Sequence, residues 1–157
     1  MNEQLIRHFY ESFQRKDYRG MAACYHPGAT FTDEVFSLKN GKEAAAMWHL
    51  LCESGKDLRI EFRDVKADAQ TGRAHWEAYY TFSRTGRKVH NVIEARFEFQ
   101  DGKIIRHVDR FPFRRWSQQA FGPTGWLLGW TPFLRNKVRE TAMKGLFRFI
   151  EQHPEYQ

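Results

Sequence analysis

The sequence predicts an α+β fold in which helices pack against one face of a curved antiparallel sheet, and three observations carry that prediction. Apolar residues recur at helical spacing as far as Cys52 and alternate with period two from residue 58 onward. Short turn signals, Gln70-Thr71-Gly72, Arg84-Thr85-Gly86 and Gln100-Asp101-Gly102, divide the alternating region into strands joined as a meander. Fourteen Phe, six Tyr and five Trp in 157 residues require either a thick core or a cavity that the rings line.

The elements follow in order. Leu5, Ile6, Phe9 and Phe13 mark a first helix, with Arg7, Glu11 and Lys16 turned to its surface. Asp17 is placed to cap a short second helix carrying Met21, Ala22 and Tyr25, which His26-Pro27-Gly28 stops. Ala29 to Asp33 reads as a short strand, and Lys39-Asn40-Gly41 as a turn. A helix from Lys42 to Glu53 then buries Ala45, Trp48 and Leu51 or Cys52. Strands are expected at 58–67, 73–83, 87–99 and 103–111. In the third of these Val89, Asn91, Ile93, Ala95, Phe97 and Phe99 share one face, opposite His90, Glu94, Arg96 and Glu98. Residues 1–115 thus form one domain, and 116–157 a helical extension packed on it. Within the extension, Gly125 to Phe133 and a last helix over 133–151 are expected to cover the sheet or to meet a second subunit.

Composition narrows the function. Apolar residues are 41% and charged residues 28% of the chain, which excludes a disordered tail, and no apolar run approaches the ~18 residues a membrane helix needs. The polar start Met1-Asn2-Glu3-Gln4 lacks the order of a secretion signal, so a cytoplasmic location is expected. Cys24 and Cys52 are too few for a disulfide framework or zinc knuckle. The net charge of +6 is modest, and nucleic acid is not expected as a partner; nor is the last helix expected to lie on a membrane. Nucleophile elbow, Walker loop and dinucleotide fingerprint are all missing.

The candidate chemistry sits on the last strand. His107, Asp109 and Phe111 alternate onto the face of Lys103 and Ile105, opposite Ile104, Arg106, Val108 and Arg110. Residues two apart on a strand stand ~7 Å apart, which suits sharing one ligand or water better than a direct bond. Such a pair either exchanges protons at neutral pH or forms a buried structural network. Asp33, between Phe31 and Phe36, is a general base if its pocket is apolar, or a turn residue bonding its own backbone. Asn91, the polar member of an apolar face, satisfies a neighbour or holds a ligand oxygen. Trp48, Trp76, Tyr80 and Phe111 fit a pocket wall as well as an ordinary core. His107 and Asp109 supply two metal ligands and nothing obvious a third, so no metal is expected.

Three strings in fixed order carry a family resemblance: Asp17 followed by Tyr25-His26-Pro27-Gly28-Ala29-Thr30-Phe31-Thr32-Asp33, then Gly41-Lys42-Glu43-Ala44, then Gly102-Lys103-Ile104 followed by Asp109-Arg110-Phe111. Over residues 3–116 the chain resembles the nuclear transport factor 2-like superfamily, in its SnoaL-like branch. That group includes ketosteroid isomerases, limonene epoxide hydrolases and polyketide cyclases. The resemblance implies a cystatin-like cone, a curved sheet wrapped on the N-terminal helices around a mostly apolar pocket, and a homodimer. It also implies acid–base chemistry without a cofactor on a small apolar, oxygen-bearing molecule. Asp33 aligns with the isomerase general base, and Asp109 with the proton donor of the epoxide hydrolase and the acid/base of the cyclases. The isomerase's oxyanion donors fall on Phe9, beside Tyr10, and near Ala95, while the hydrolase's Arg-x-Asp pair falls on Trp76 and Ala78. On this footing Asp109, His107 and Asp33 are the expected catalytic residues, and Asn91, Trp48, Trp76, Tyr80 and Phe111 the expected ligand contacts. The alternative is a non-catalytic ligand-binding or dimerisation module of the same fold.

Overall fold

The computed structural model describes residues 1–157. Helix α1 (Asn2–Gln14) buries Ile6, Phe9, Tyr10 and Phe13, the i, i+3, i+4, i+7 stripe that makes one face apolar. Asp17 caps α2 (Tyr18–Ala22) by accepting from the Gly20 N–H at 2.9 Å. Helix α3 (Gly41–Ser54) is capped by Asn40, which accepts from the Glu43 N–H, while Glu43 accepts from the Lys39 N–H, so two otherwise orphaned donors are satisfied.

The strands β1 (Tyr25–Thr32), β2 (Ser37–Leu38), β3 (Arg59–Ala67), β4 (Thr71–Phe82), β5 (Arg87–Gln100) and β6 (Lys103–Arg110) form one curved, unclosed sheet in the order β2-β1-β6-β5-β4-β3. From β3 to β6 the sheet is the antiparallel meander that the turn signals announce. The pairing of β1 with β6 is parallel, so the sheet is mixed rather than wholly antiparallel. Only a tight hairpin forces antiparallel pairing, and between these two strands the chain runs through α3 and four other strands. A second difference lies at Tyr25, which opens β1 instead of closing α2; His26-Pro27-Gly28 is extended backbone at the irregular start of that strand.

Register shifts lie in β1, in β3 beside Asp64 (φ 58°), and between β5 and β6. Those in β3 and between β5 and β6 each insert one residue into one strand, and that in β1 inserts three between Tyr25 and Thr30; each bends the sheet there. The shift in β6 changes which residues share a face. Phe99 pairs with Ile104 and Glu98 with Arg106, so Ile104 and His107 are both buried although three apart. Strict alternation would have put Ile104 opposite His107.

The helices and the concave face enclose a core centred on the Trp48 indole, with the Phe9, Phe13 and Phe31 rings packed edge-on at 5.4, 5.0 and 5.5 Å. Burying one such ring contributes ~1.5–3 kcal/mol. Beyond the sheet come α4 (Phe113–Phe121), α5 (Pro123–Leu128), α6 (Pro132–Glu151) and a final 3₁₀ turn, Pro154–Tyr156. α4 is fastened to β4 by the Trp116 indole N–H donating to the Tyr80 hydroxyl at 2.7 Å. α6 buries Leu146 and Phe149 beside α3. α5 covers nothing with its large side chains. Gly125 and Gly129 lie on Ser117 of α4, which turns Trp126, Leu127, Trp130 and Phe133 outward. No helix is long and apolar enough to cross a membrane.

Candidate functional site

A cavity of about 670 Å³ lies between the concave face of the sheet, α3, and the extension. Leu51 and Leu58, Phe36, Trp48, Trp76, Tyr80 and Phe111 give it apolar walls, and α4 and α6 contribute Trp116, Leu134 and Val138. Its charged and amide groups are few: Asp33, Asn91 and Asp109, with Arg84 and Lys137 also on the lining beside four serine and threonine side chains. Seven of the eight residues singled out from the sequence therefore line one space.

The eighth is His107, fully buried and one layer behind the wall. Its Nε2 is 2.9 Å from Asp109 Oδ1, a direct bond where Cα spacing had suggested a shared water. The spacing argument fails because side chains lean along the strand; two long ones at i and i+2 can meet although their Cα atoms are far apart. On its other side, His107 Nδ1 is 2.7 Å from the Tyr25 hydroxyl, and the Trp48 indole N–H donates to that same hydroxyl at 2.9 Å. Hydrogen bookkeeping then fixes the directions. With one lone pair engaged by Trp48, Tyr25 leaves no hydrogen stranded by donating to His107 Nδ1, which puts the imidazole hydrogen on Nε2, facing Asp109. The result is a directed chain, Trp48 to Tyr25 to His107 to Asp109, whose middle members Tyr25 and His107 are buried behind a wall to which Trp48 and Asp109 belong.

Asp109 receives a second, longer bond at Oδ1, from the Trp76 indole N–H at 3.4 Å. No protein donor reaches Oδ2, so the cavity-side carboxyl keeps one oxygen for a ligand. Asp33 combines both readings open to it. Its Oδ1 accepts from the Val35 and Phe36 N–H groups at 2.7 and 2.6 Å, a local turn, and its carboxyl also lines the cavity. Its pKa is raised to about 7, burial pushing it up, the two backbone bonds pulling it down and the charge of Asp109 pushing it up again. Asn91 is 93% buried on β5 with no protein partner for its amide, leaving that amide to the cavity.

Tyr25 is the member of the site that sequence reasoning missed. It reaches His107 only through the parallel β1–β6 pairing, 82 residues apart in sequence, and the one signal was a polar-tipped ring at the start of the strand. Tyr10 is not on the cavity: its hydroxyl is buried without a partner while its ring stacks on Phe62. His75 and Glu77 lie on the opposite face of β4 from Trp76 and cannot serve the cavity. There Glu77 accepts from His75 and His90 at 2.8 and 2.6 Å, which pulls its carboxyl down to about 2.

Solved structures with this architecture include a candidate polyketide cyclase from Xanthomonas campestris, 19% identical, with a TM-score of 0.62 over 74% of this chain and 93% of that one. An LEH-like epoxide hydrolase from M. tuberculosis is 15% identical, with a TM-score of 0.60 over 83% and 92% of the two chains. AclR from Streptomyces galilaeus, a candidate hydroxylase, is 19% identical, with a TM-score of 0.58 over 71% and 89%. At these identities the likeness establishes the fold alone. No curated protein matches the chain. The model of the SnoaL-like domain matches residues 6–107, from α1 to the imidazole of the directed chain, and with well over half its length so matched this chain belongs to the SnoaL-like domain family.

Proposed function

We propose that the chain is an acid–base enzyme acting on a small, largely apolar, oxygen-bearing molecule held in the cavity. The observation that carries this reading is the Asp109 carboxyl on the cavity wall, oriented from behind by His107 and Tyr25 and leaving one oxygen uncommitted. Both hydrogen bonds to Asp109 donate to it, an arrangement that suits a proton acceptor. Asp33, whose carboxyl burial raises to about 7, retains a proton further toward neutral pH than an ordinary carboxyl and supplies the acid. A proton taken from substrate carbon or water by Asp109 is thus balanced by one given to substrate oxygen by Asp33, while Asn91 orients that oxygen. Isomerisation, cyclisation, dehydration and epoxide opening all have this form, and side chains accomplish each by proton transfer alone. Neighbours described as a polyketide cyclase and an epoxide hydrolase are consistent with such chemistry.

The test is turnover of a panel of polyketide-type ketones, terpenoid epoxides and steroid enones, read by mass spectrometry, with binding read by thermal shift. Asp109→Asn is expected to keep binding and to lose ~10²–10⁴-fold in rate. Wild-type turnover by the Asn variant overturns the proposal. Equal binding with turnover by neither protein favours a ligand-binding module instead.

A further inference from the structure

Outside the cavity, where α3 meets the end of the chain, His49, Glu53 and His153 each bring one ligand atom to a common point, all within 4.8 Å of one another. His49 and Glu53 are one turn apart on α3, with His49 Nε2 2.8 Å from Glu53 Oε1. His153 arrives from the segment after α6, more than forty residues past the matched domain.

The hydrogen bonds behind the two imidazoles decide what faces that point. His153 Nδ1 is 2.7 Å from the Phe149 carbonyl oxygen, and a carbonyl only accepts. Nδ1 therefore carries the hydrogen, and in the neutral ring Nε2 presents a bare lone pair. His49 Nδ1 is 2.9 Å from the Tyr156 hydroxyl, which can accept from it in the same way and leave a second bare Nε2. Both rings are also held in orientation. His49 is buried, stacked on Tyr18 at 3.6 Å with Phe149 edge-on at 4.9 Å, and His153 stacks on Phe149 at 3.9 Å. Two imidazole nitrogens and a carboxylate oxygen converge there, and a cation that takes the place of the hydrogen between His49 Nε2 and Glu53 Oε1, with that hydrogen moved to Nδ1 facing the Tyr156 hydroxyl, completes the set.

We infer that His49, Glu53 and His153 bind one borderline divalent metal ion, zinc fitting best, and that the ion ties the C-terminal segment to α3. Two nitrogens and one oxygen suit zinc, cobalt or nickel and disfavour magnesium and calcium, which take all-oxygen shells. Ligand atoms on a tetrahedral zinc stand roughly 3.3 Å apart, given bonds of ~2.0–2.1 Å. The adjustment falls on Glu53, whose side chain is 56% exposed, and on half-buried His153, while buried His49 stays fixed. The exposed side of Glu53 leaves the fourth position to water. The competing occupant is a proton shared within the His49–Glu53 pair, which gives His153 no part.

The experiment uses the full chain stripped with chelator and titrated with zinc by calorimetry, with cobalt as a spectroscopic probe. One ion per chain, the visible absorption of four-coordinate cobalt and a zinc-dependent rise in melting temperature are expected. His153→Ala and Glu53→Gln should each weaken zinc by about tenfold or more, and Tyr156→Phe by less, since it removes only the group that orients His49. Absence of stoichiometric zinc binding, or the same affinity in His153→Ala as in the native chain, overturns the inference. Cobalt absorption of the native chain needs no variant, and failure to show a four-coordinate spectrum overturns it as well. The site is separate from the Asp109 cavity, so its failure leaves the proposed activity intact.

Discussion

Tyr25→Phe removes a single oxygen and keeps the buried ring, so its cost isolates the hydrogen-bonded chain behind the cavity. Without that hydroxyl the Trp48 indole N–H and His107 Nδ1 both lose their partner. Trp48 is 1% and His107 0% exposed, so no solvent replaces it. Each stranded buried group costs ~1–3 kcal/mol; His107 keeps its hydrogen on Nε2 for Asp109 and strands only a lone pair, at the lower end of that range, giving a net loss of ~3 kcal/mol. For a chain of this length that is a fall in melting temperature of roughly 6–12 °C, measured by circular dichroism or calorimetry. Tyr10→Phe is the control. Its hydroxyl is equally buried but bonds to nothing, so its removal should leave stability unchanged or slightly raised. A Tyr25→Phe protein that melts within 2 °C of the native one, or a Tyr10→Phe protein that loses as much, refutes the reasoning; the 2 °C margin corresponds to about 1 kcal/mol or less.

Two further outcomes are expected. Asp33 keeps its proton up to about pH 7 when folded but sheds it near pH 4 when unfolded, so stability falls as pH rises through that window. The fall amounts to ~2–4 kcal/mol, and denaturant titrations across that range should show it flattened in Asp33→Asn; an unchanged slope would assign it to other groups. At Gly125 an added Cβ would lie 1.9 Å from the Ser117 carbonyl oxygen, so Gly125→Ala should push α5 off α4 at a cost of ~1–3 kcal/mol. Limited proteolysis within residues 122–131 reports that separation, and an unaltered digestion pattern argues against the close approach.

Most of the fold was legible because its periods are clean. β5 alternates without interruption from Val89 to Phe97, and the structure buries that same face. Asp17 caps its helix through the local bond that sequence spacing implies, and Asn40, read as a turn residue, closes that turn by capping α3. What escaped depends on partners far along the chain. The inward turn of both Ile104 and His107 comes from a bulge set by pairing with β5, and no local pattern encodes it. Likewise the parallel pairing of β1 and β6 has no turn signal between adjacent strands, so Tyr25 could not be assigned to the site. Asn91 was visible as the polar member of an apolar face, Asp33 as a carboxyl between two phenylalanines and Asp109 as the neighbour of His107 on the last strand, whereas the layering of His107 behind Asp109 required coordinates.

The parallel seam between β1 and β6 also sets an order of events. Tyr25 leaves the ribosome early, and the strand that gives it a partner is the last of the sheet to be synthesised. Until β6 docks, the first strand has nothing on that edge to pair with, and the Tyr25 hydroxyl is separate from the imidazole and carboxyl that β6 carries together. Closure over such a sequence separation is slow compared with forming the β3–β6 meander. The chain of hydrogen bonds behind the cavity is therefore completed only when β6 docks, and a nascent chain stopped short of β6 lacks both His107 and Asp109.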